Sequence, residues 1–373
     1  MPRLSTFKRA FLIGAGLLVL GTAGSRRKPA EDPPPPVIEV PTPPPEPVRP
    51  PDYLGMFASG MPLSSGPTPV GLANSSAQGC NGCHYEAAQG WSESAHAKPS
   101  PAYIEAATAA ADPTCRSCHQ PLAAQHGTDA TLAGEHVTCA ACHLRDGQVI
   151  SSKHANSAPH PTRFSPELAQ ASFCANCHQL NWAGADRPLY DTFGEWERSP
   201  QAAAGIGCVD CHMRSAADGR AGADHSFPAP PARAISLLVD LPQQTLVRGQ
   251  GALSTTIVVQ NTGAGHSFPT GSPWKSVRLQ ARLVGPPTKT GPTIGKSPLV
   301  VDFRRSIEKQ APWRTLDDTR IVAGSEASFQ WEAALPIDAA PGPWAIEVGL
   351  FEVSGDKMAD TPITAQRFLL NVQ

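Results

Sequence analysis

The chain has 373 residues, 30 Lys and Arg against 32 Asp and Glu, and a formal charge of −2 at pH 7. That balance leaves no basic footprint for nucleic acid, and the length allows two domains. Its 40 prolines, 10 cysteines and 12 histidines set the composition apart from an ordinary globular chain.

In chain order, Lys8 and Arg9 precede an apolar run from Phe11 to Leu20 that trails through Gly21, Thr22, Ala23 and Gly24. This is the shape of an export signal, too short to span a bilayer comfortably. Residues 1–24 are therefore expected to form a signal peptide cleaved after Ala23, or an uncleaved anchor. The first cysteine is Cys80, so no lipidation cysteine stands behind the apolar run. Residues 25–72 form an expected linker. Pro29 to Pro51 is mostly proline, which disfavours helix and sheet and suits an extended polyproline-II tether. At about 3.1 Å per residue it reaches roughly 70 Å, as a membrane spacer or as a disordered mature N-terminus.

Residues 73–231 carry five Cys-x-x-Cys-His pentapeptides: Cys80, Cys83 and His84; Cys115, Cys118 and His119; Cys139, Cys142 and His143; Cys174, Cys177 and His178; Cys208, Cys211 and His212. Together they use every cysteine. Two thiols three residues apart share one face of a helical turn, where each can add to a haem vinyl group, and the next residue is the proximal iron ligand. Structural zinc would need knuckles in pairs, and five do not pair off. A disulfide inside Cys-x-x-Cys closes too small a loop to stabilise much, and thioredoxin-like chemistry needs one such motif after a strand. The spacing thus predicts five covalently bound c-type haems. Thioether attachment takes place outside the cytoplasm in bacteria, which agrees with export to the periplasm or another extracytoplasmic space. At one motif per thirty residues or so, and with little amphipathic periodicity, short helices and loops are expected to pack around porphyrin and not around a side-chain core.

Residues 232–373 change character. Short β-rich runs at Ala234–Leu241, Ser254–Gln260, Val277–Val284, Leu299–Ser306, Ala327–Ala334, Trp344–Val353 and Gln366–Val372 are separated by turn residues. Seven such strands suggest an immunoglobulin-like β-sandwich without the antibody cysteine pair. The expected fold is α+β and multidomain: a haem-packed, mostly helix-and-loop pentahaem domain followed by that sandwich, which either supports the haem domain or binds a partner.

Seven histidines lie outside the motifs: His96, His126, His136, His154, His160, His225 and His266. Five suffice to give every iron two imidazoles, the arrangement suited to electron transfer. Two internal repeats rank them. His225-Ser226-Phe227-Pro228 recurs as His266-Ser267-Phe268-Pro269, where the proline fixes the chain and the aromatic is placed to pack on porphyrin. Both histidines are candidate distal ligands; His266 has the alternative of a hydrogen bond within the β-half. The second repeat sets Trp91-x-x-Ser94-x-His96 against Trp196-x-x-Ser199-x-Gln201. His96 is a candidate distal ligand, and glutamine at the matching place means that the haem a histidine there would cap is either served by another histidine or left open. His136, three residues before Cys139, would cap a neighbouring haem and not its own. His154 is the fifth candidate. His126 and His160 read as surface histidines, and Met213 as packing.

Cys80 to His84 followed by Trp91-x-x-Ser-x-His96-Ala97, the close motifs at Cys115 and Cys139, and Glu195-Trp196-x-x-Ser-Pro200 leading to Cys208 and Met213 resemble the multihaem cytochromes c related to the tetrahaem electron acceptor of hydroxylamine oxidation. Gly265-His-Ser-Phe-Pro-Thr-Gly271 among strands is similar to a C-terminal extension in some members, so the resemblance spans about Ala77 to Gly271. It implies stacked and angled haem pairs, and distal roles for His96 and His225. Five motifs in place of four mean that the family's haem order cannot be copied. The lysine-ligated motif of related nitrite reductases is absent from the sequence, and none of Tyr53, Tyr85, Tyr103 and Tyr190 has the setting of the tyrosine cross-linked to haem in hydroxylamine oxidation.

The expected function is an exported electron carrier, more a relay than a catalyst, passing electrons between a donor and an acceptor redox protein, within a membrane complex or free of one. The alternative is an oxidoreductase acting on a small nitrogen or sulfur compound at one five-coordinate haem.

Overall fold

The computed structural model describes residues 62–98, 113–127, 130–155, 157–182, 184–214, 222–228, 234–241, 244–248, 252–288, 291–295 and 297–373. The expected export segment and residues 25–61 of the expected linker lie outside them. The last part of that linker is packed: Leu63 is 2 % exposed, pairs with Leu122 and exchanges backbone hydrogen bonds with Pro121 and Ala123. Among the described residues no helix is long and apolar enough to cross a membrane.

Between residues 62 and 228 the described residues form short helices with small sheets between them. All five attachment motifs sit on or at the end of a helix: Ala77–Asn81, Pro113–His119, Cys139–His143, Ala171–His178 and Cys208–His212. The strands here are brief. Strands β1 (Leu144–Arg145), β2 (Gln148–Ser151) and β3 (Thr162–Phe164) form one sheet, and β4 (Gln179–Leu180) and β5 (Tyr190–Asp191) another. The buried apolar clusters are small: Leu63, Leu122, Ala140, Ala141 and Leu144 in one, Ala171, Ala175 and Phe193 in the other. Alanines supply much of the interior beside the motif helices. Burying such side chains contributes far less than the roughly 1.5–3 kcal/mol of a buried leucine or valine.

The remainder is β-structure: β6 (Ile235–Asp240), β7 (Thr245–Leu246), β8 (Leu253–Asn261), β9 (Ser276–Thr288), β10 (Gly291–Ile294), β11 (Leu299–Ile307), β12 (Thr315–Asp318), β13 (Ser325–Ala333), β14 (Gly342–Ser354), β15 (Lys357–Met358) and β16 (Thr364–Val372). One sheet runs β12-β11-β9-β14-β16-β7, with β10 paired to β9 and β15 to β14; the other runs β13-β8-β6. Only β16 and β7 pair in parallel within these sheets. All seven expected strands are present, and the sequence reading missed the shorter β7, β10, β12 and β15.

Period-two alternation puts Leu253, Ile257 and Val259 of β8, Val277, Leu279, Ala281 and Leu283 of β9, and Trp344, Ile346, Val348 and Leu350 of β14 into one buried cluster shared by both sheets. Gly285 is required where Trp344 fills the space: a Cβ there would lie 2.7 Å from the indole ring. This cluster is the one large side-chain core among the described residues, and it is independent of the motif helices.

The halves meet through polar contacts. Buried Arg305 of β11 donates to Pro188 O at 2.7 Å, Thr315 N donates to Asp186 Oδ1 at 2.8 Å, and Thr192 and Thr270 hydroxyls are 3.0 Å apart.

Candidate haem-binding sites

The motif helices are tied to one another. Ser76 caps the first, its hydroxyl accepting from Gly79 N, which satisfies an otherwise free helical donor. Ala77 N in turn donates to both oxygens of Glu135 at 2.9 Å. Glu135 lies four residues before Cys139, so it locks the first motif to the third, and Cys80 hydrogen-bonds Cys139. Likewise Cys118 of the second motif contacts Cys177 of the fourth, and Cys174 of the fourth contacts Cys208 of the fifth. The fourth motif therefore touches the second with one cysteine and the fifth with the other.

Ring geometry is the strongest structural signal. The centroids of His178 and His96 are 6.2 Å apart, those of His143 and His225 6.1 Å, and those of His212 and His266 6.3 Å with only 17° between planes. Two imidazoles sharing one metal through bonds of about 2 Å, with each ring centre roughly 1 Å further out, have centroids about 6 Å apart. His136 lies close enough to His119 to disfavour protonation of that ring. Each pair joins a motif histidine to one outside the motifs.

The tautomers agree. His143 Nδ1 is 2.9 Å from Ile150 O, His212 Nδ1 3.0 Å from Pro228 O, His225 Nδ1 2.8 Å from Ala223 O, and His266 Nδ1 3.1 Å from Ser267 O. Each imidazole donates through Nδ1 and keeps the Nε2 lone pair for a metal, the usual orientation of a ligating histidine. Burial favours the neutral, ligating form. It lowers the pKa of His96, His119, His136, His143 and His266, and desolvation followed by the nearby His96 and His212 pushes His178 down to about 4. Burial also raises the Cys142 thiol to about 11, whereas a hydrogen bond with Cys177 brings Cys118 down to about 7. The donor set and its spacing fit haem at these positions, with the cysteines as attachment points and the paired histidines as axial ligands.

The other expected residues are placed differently. His84 and Cys83 are exposed, and His84 lies near His143, the motif histidine whose ring faces His225. His154 is exposed and stacks on Phe164 with centroids 4.1 Å apart. His126 Nε2 is bonded to Gln120 O at 2.8 Å. His160, read as a surface residue, is half-buried, and its Nδ1 has no hydrogen-bond partner. Gln201 Nε2 donates to Thr262 O at 3.2 Å, against the loop that carries His266. Phe227 meets the His96 ring edge-on at 4.4 Å. Its counterpart Phe268 instead bridges to Ile321 and packs on the β-core, because its loop is held between sheets.

Glu135, Glu195, Asn261 and Arg320 escaped the sequence reading as parts of these sites. Only the Glu195-Trp196 dipeptide had drawn notice, since an isolated carboxylate or amide has no spacing signature.

No protein-family model matches the chain, and no curated protein matches it in sequence. Among solved structures, the fold is similar to that of a penta-haem cytochrome c552 from Thermochromatium tepidum, with a TM-score of 0.59 and 17% identity, covering 79% of this chain and 98% of that one. At that identity the likeness is one of fold, and it extends across both halves. The CARDB domain of the PF1109 protein from Pyrococcus furiosus, solved in complex with di-metal ions, covers 37% of this chain and 87% of its own at 11% identity; its TM-score of 0.22 supports no inference.

Proposed function

We propose that the chain is a pentahaem c-type cytochrome, exported from the cytoplasm, that relays single electrons between a donor and an acceptor redox protein. The observation that carries this reading is the pairing of motif histidines with histidines from elsewhere in the chain, at the separation two ligands of one iron require. Haem, when bound, supplies reversible one-electron chemistry. This chain's residues would supply two imidazoles at each paired site, with the Nδ1 atoms of His143, His212, His225 and His266 held by backbone carbonyls, and such sites leave no coordination position for substrate. We assign His96 to the iron of His178, His136 to that of His119, His225 to that of His143 and His266 to that of His212. We read the two facing sheets as an immunoglobulin-like sandwich that contributes His266, and the proline-rich segment as a tether toward a membrane partner.

The test is the intact mass of protein matured with haem-attachment machinery, together with low-temperature electron paramagnetic resonance of the oxidised form. Five haems and predominantly low-spin iron are expected, and His96→Ala should convert one haem to high spin. A colourless folded product, or high-spin iron at most sites, would overturn the reading.

One observation favours a second reading, an oxidoreductase acting on a small nitrogen or sulfur compound at the first motif: His84 and Cys83 are exposed, and His154 is engaged with Phe164. Turnover of nitrite, hydroxylamine or tetrathionate with a viologen donor or a suitable electron acceptor separates the two. A pure relay gives no rate.

A further inference from the structure

Glu195 lies on the Thr192–Glu197 helix of the motif half, and its side chain is only 7 % exposed. Its two oxygens serve different partners. Oε1 accepts from Arg320 NH1 at 2.7 Å; Oε2 accepts from Ser267 N at 3.1 Å and from Thr270 Oγ1 at 2.7 Å. Arg320, 8 % exposed, is held in turn by Asp318 through two bonds of 2.8 Å. A buried carboxylate persists where its charge is paired and its lone pairs are filled, and this one spends half of that capacity on the loop carrying His266.

Ser267 is fixed at both ends. Its N–H is taken by Glu195, and its carbonyl accepts from His266 Nδ1 at 3.1 Å. The carbonyl of the peptide joining His266 to Ser267 is held from the other side, because Asn261 Nδ2 donates to His266 O at 2.8 Å and to Ile321 O at 2.9 Å. The orientation of the His266 ring therefore depends on a residue whose position is set from the opposite half of the molecule. We propose that Glu195 is the positioning residue for His266: through Ser267 and Thr270 it holds this imidazole opposite His212, so that a distal ligand borne by the β-half reaches an iron borne by the motif half. The inference rests on His266 being an iron ligand, and a strut that merely joined the halves would not need to grip the residue next to the ligand.

The experiment uses the full-length, haem-loaded protein, with five haems verified by mass in every variant. Oxidised wild type, His266→Ala, Glu195→Ala, Glu195→Gln and Thr270→Val are compared by low-temperature electron paramagnetic resonance and cyanide titration. His266→Ala should show one additional high-spin haem that binds cyanide. Glu195→Ala should show the same signal, several-fold above wild type. Glu195→Gln, which keeps an acceptor for Ser267 N, should recover most of the low-spin form, with Thr270→Val in between. If Glu195→Ala does not accumulate, the glutamine and valine variants carry the comparison, and wild-type spectra in both would overturn the proposal. Wild-type spin state and cyanide silence in Glu195→Ala, alongside a changed His266→Ala, would overturn it while leaving the ligand assignment standing. An unchanged His266→Ala would overturn the assignment, and the proposal with it.

Discussion

Trp91 and Trp196 each anchor a short helix by donating the indole N–H to a backbone carbonyl, Val137 O at 2.8 Å and Ile206 O at 2.9 Å. Each helix is followed by a serine, Ser94 or Ser199, whose hydroxyl caps the next turn. Each also receives a histidine-bearing loop at close range. At the first, Gly90 on the helix makes room, since a Cβ there would come within 3.0 Å of Ser226 N. At the second the glycine is on the loop: a Cβ on Gly265 would come within 3.0 Å of Trp196 and 3.2 Å of Gln201. The first repeat contributes a histidine of its own, His96, and docks the loop of His225. The second has Gln201 in that place and docks the loop of His266, whose ring, borne by the β-half, stands opposite His212. What separates the repeats is which half of the molecule provides the imidazole, and only the second therefore depends on the contact between halves.

That dependence can be broken at its polar centre. Arg320→Met strands the Glu195 carboxylate without its partner in a buried site, where loss of one member of an ion pair costs about 3–5 kcal/mol; denaturant unfolding should show a loss of that order, whereas Lys98→Met near the first repeat should leave the midpoint unchanged. Smaller effects follow from crowding the two docking points. Gly265→Ala and Gly90→Ala each push a Cβ against backbone or ring, for about 1–3 kcal/mol, and thermal melts should place both below wild type, with only the Gly265 variant disturbing the spectrum of the fifth haem. Next come the anchors. Trp91→Phe and Trp196→Phe each remove one hydrogen bond to a carbonyl, for about 0.5–1.5 kcal/mol beyond any packing loss, measurable as paired shifts in denaturation midpoint. The smallest effect is expected of Gln201→Leu. Its Oε1 is already buried without a partner, so the cost of the lost Thr262 bond is partly offset, and stability should stay within about 1 kcal/mol of wild type.

Much of this was legible in the chain. The five motifs announced their helices because the chemistry of attachment demands a helical turn, and alternation gave all seven long strands because one face of each is buried. The strands β7, β10, β12 and β15 were missed because two to four residues cannot display a period. His225 and His266 stood out through their shared Ser-Phe-Pro context, yet which motif histidine each ring faces depends on which loops meet in space. Gln201 was the instructive case: a local repeat left open whether another histidine stands in for the missing one, and the loop that Gln201 holds carries His266, sixty-five positions away, where no spacing rule reaches. Glu195 was invisible as a positioning group because its role consists of partners at 267, 270 and 320.

The contrast between the two kinds of interior also governs how the protein is made. Between residues 77 and 228 the buried side chains beside the motif helices are largely alanines, whereas both sheets share leucine, isoleucine, valine and tryptophan. On the proposed reading, a chain that has not yet received its cofactors would have a C-terminal portion able to collapse on its own apolar contacts and a middle portion with little to collapse around. Limited proteolysis of unloaded protein should trim the middle and spare the end. On that reading, the five Cys-x-x-Cys-His segments would be open to modification while the C-terminal portion is already folded.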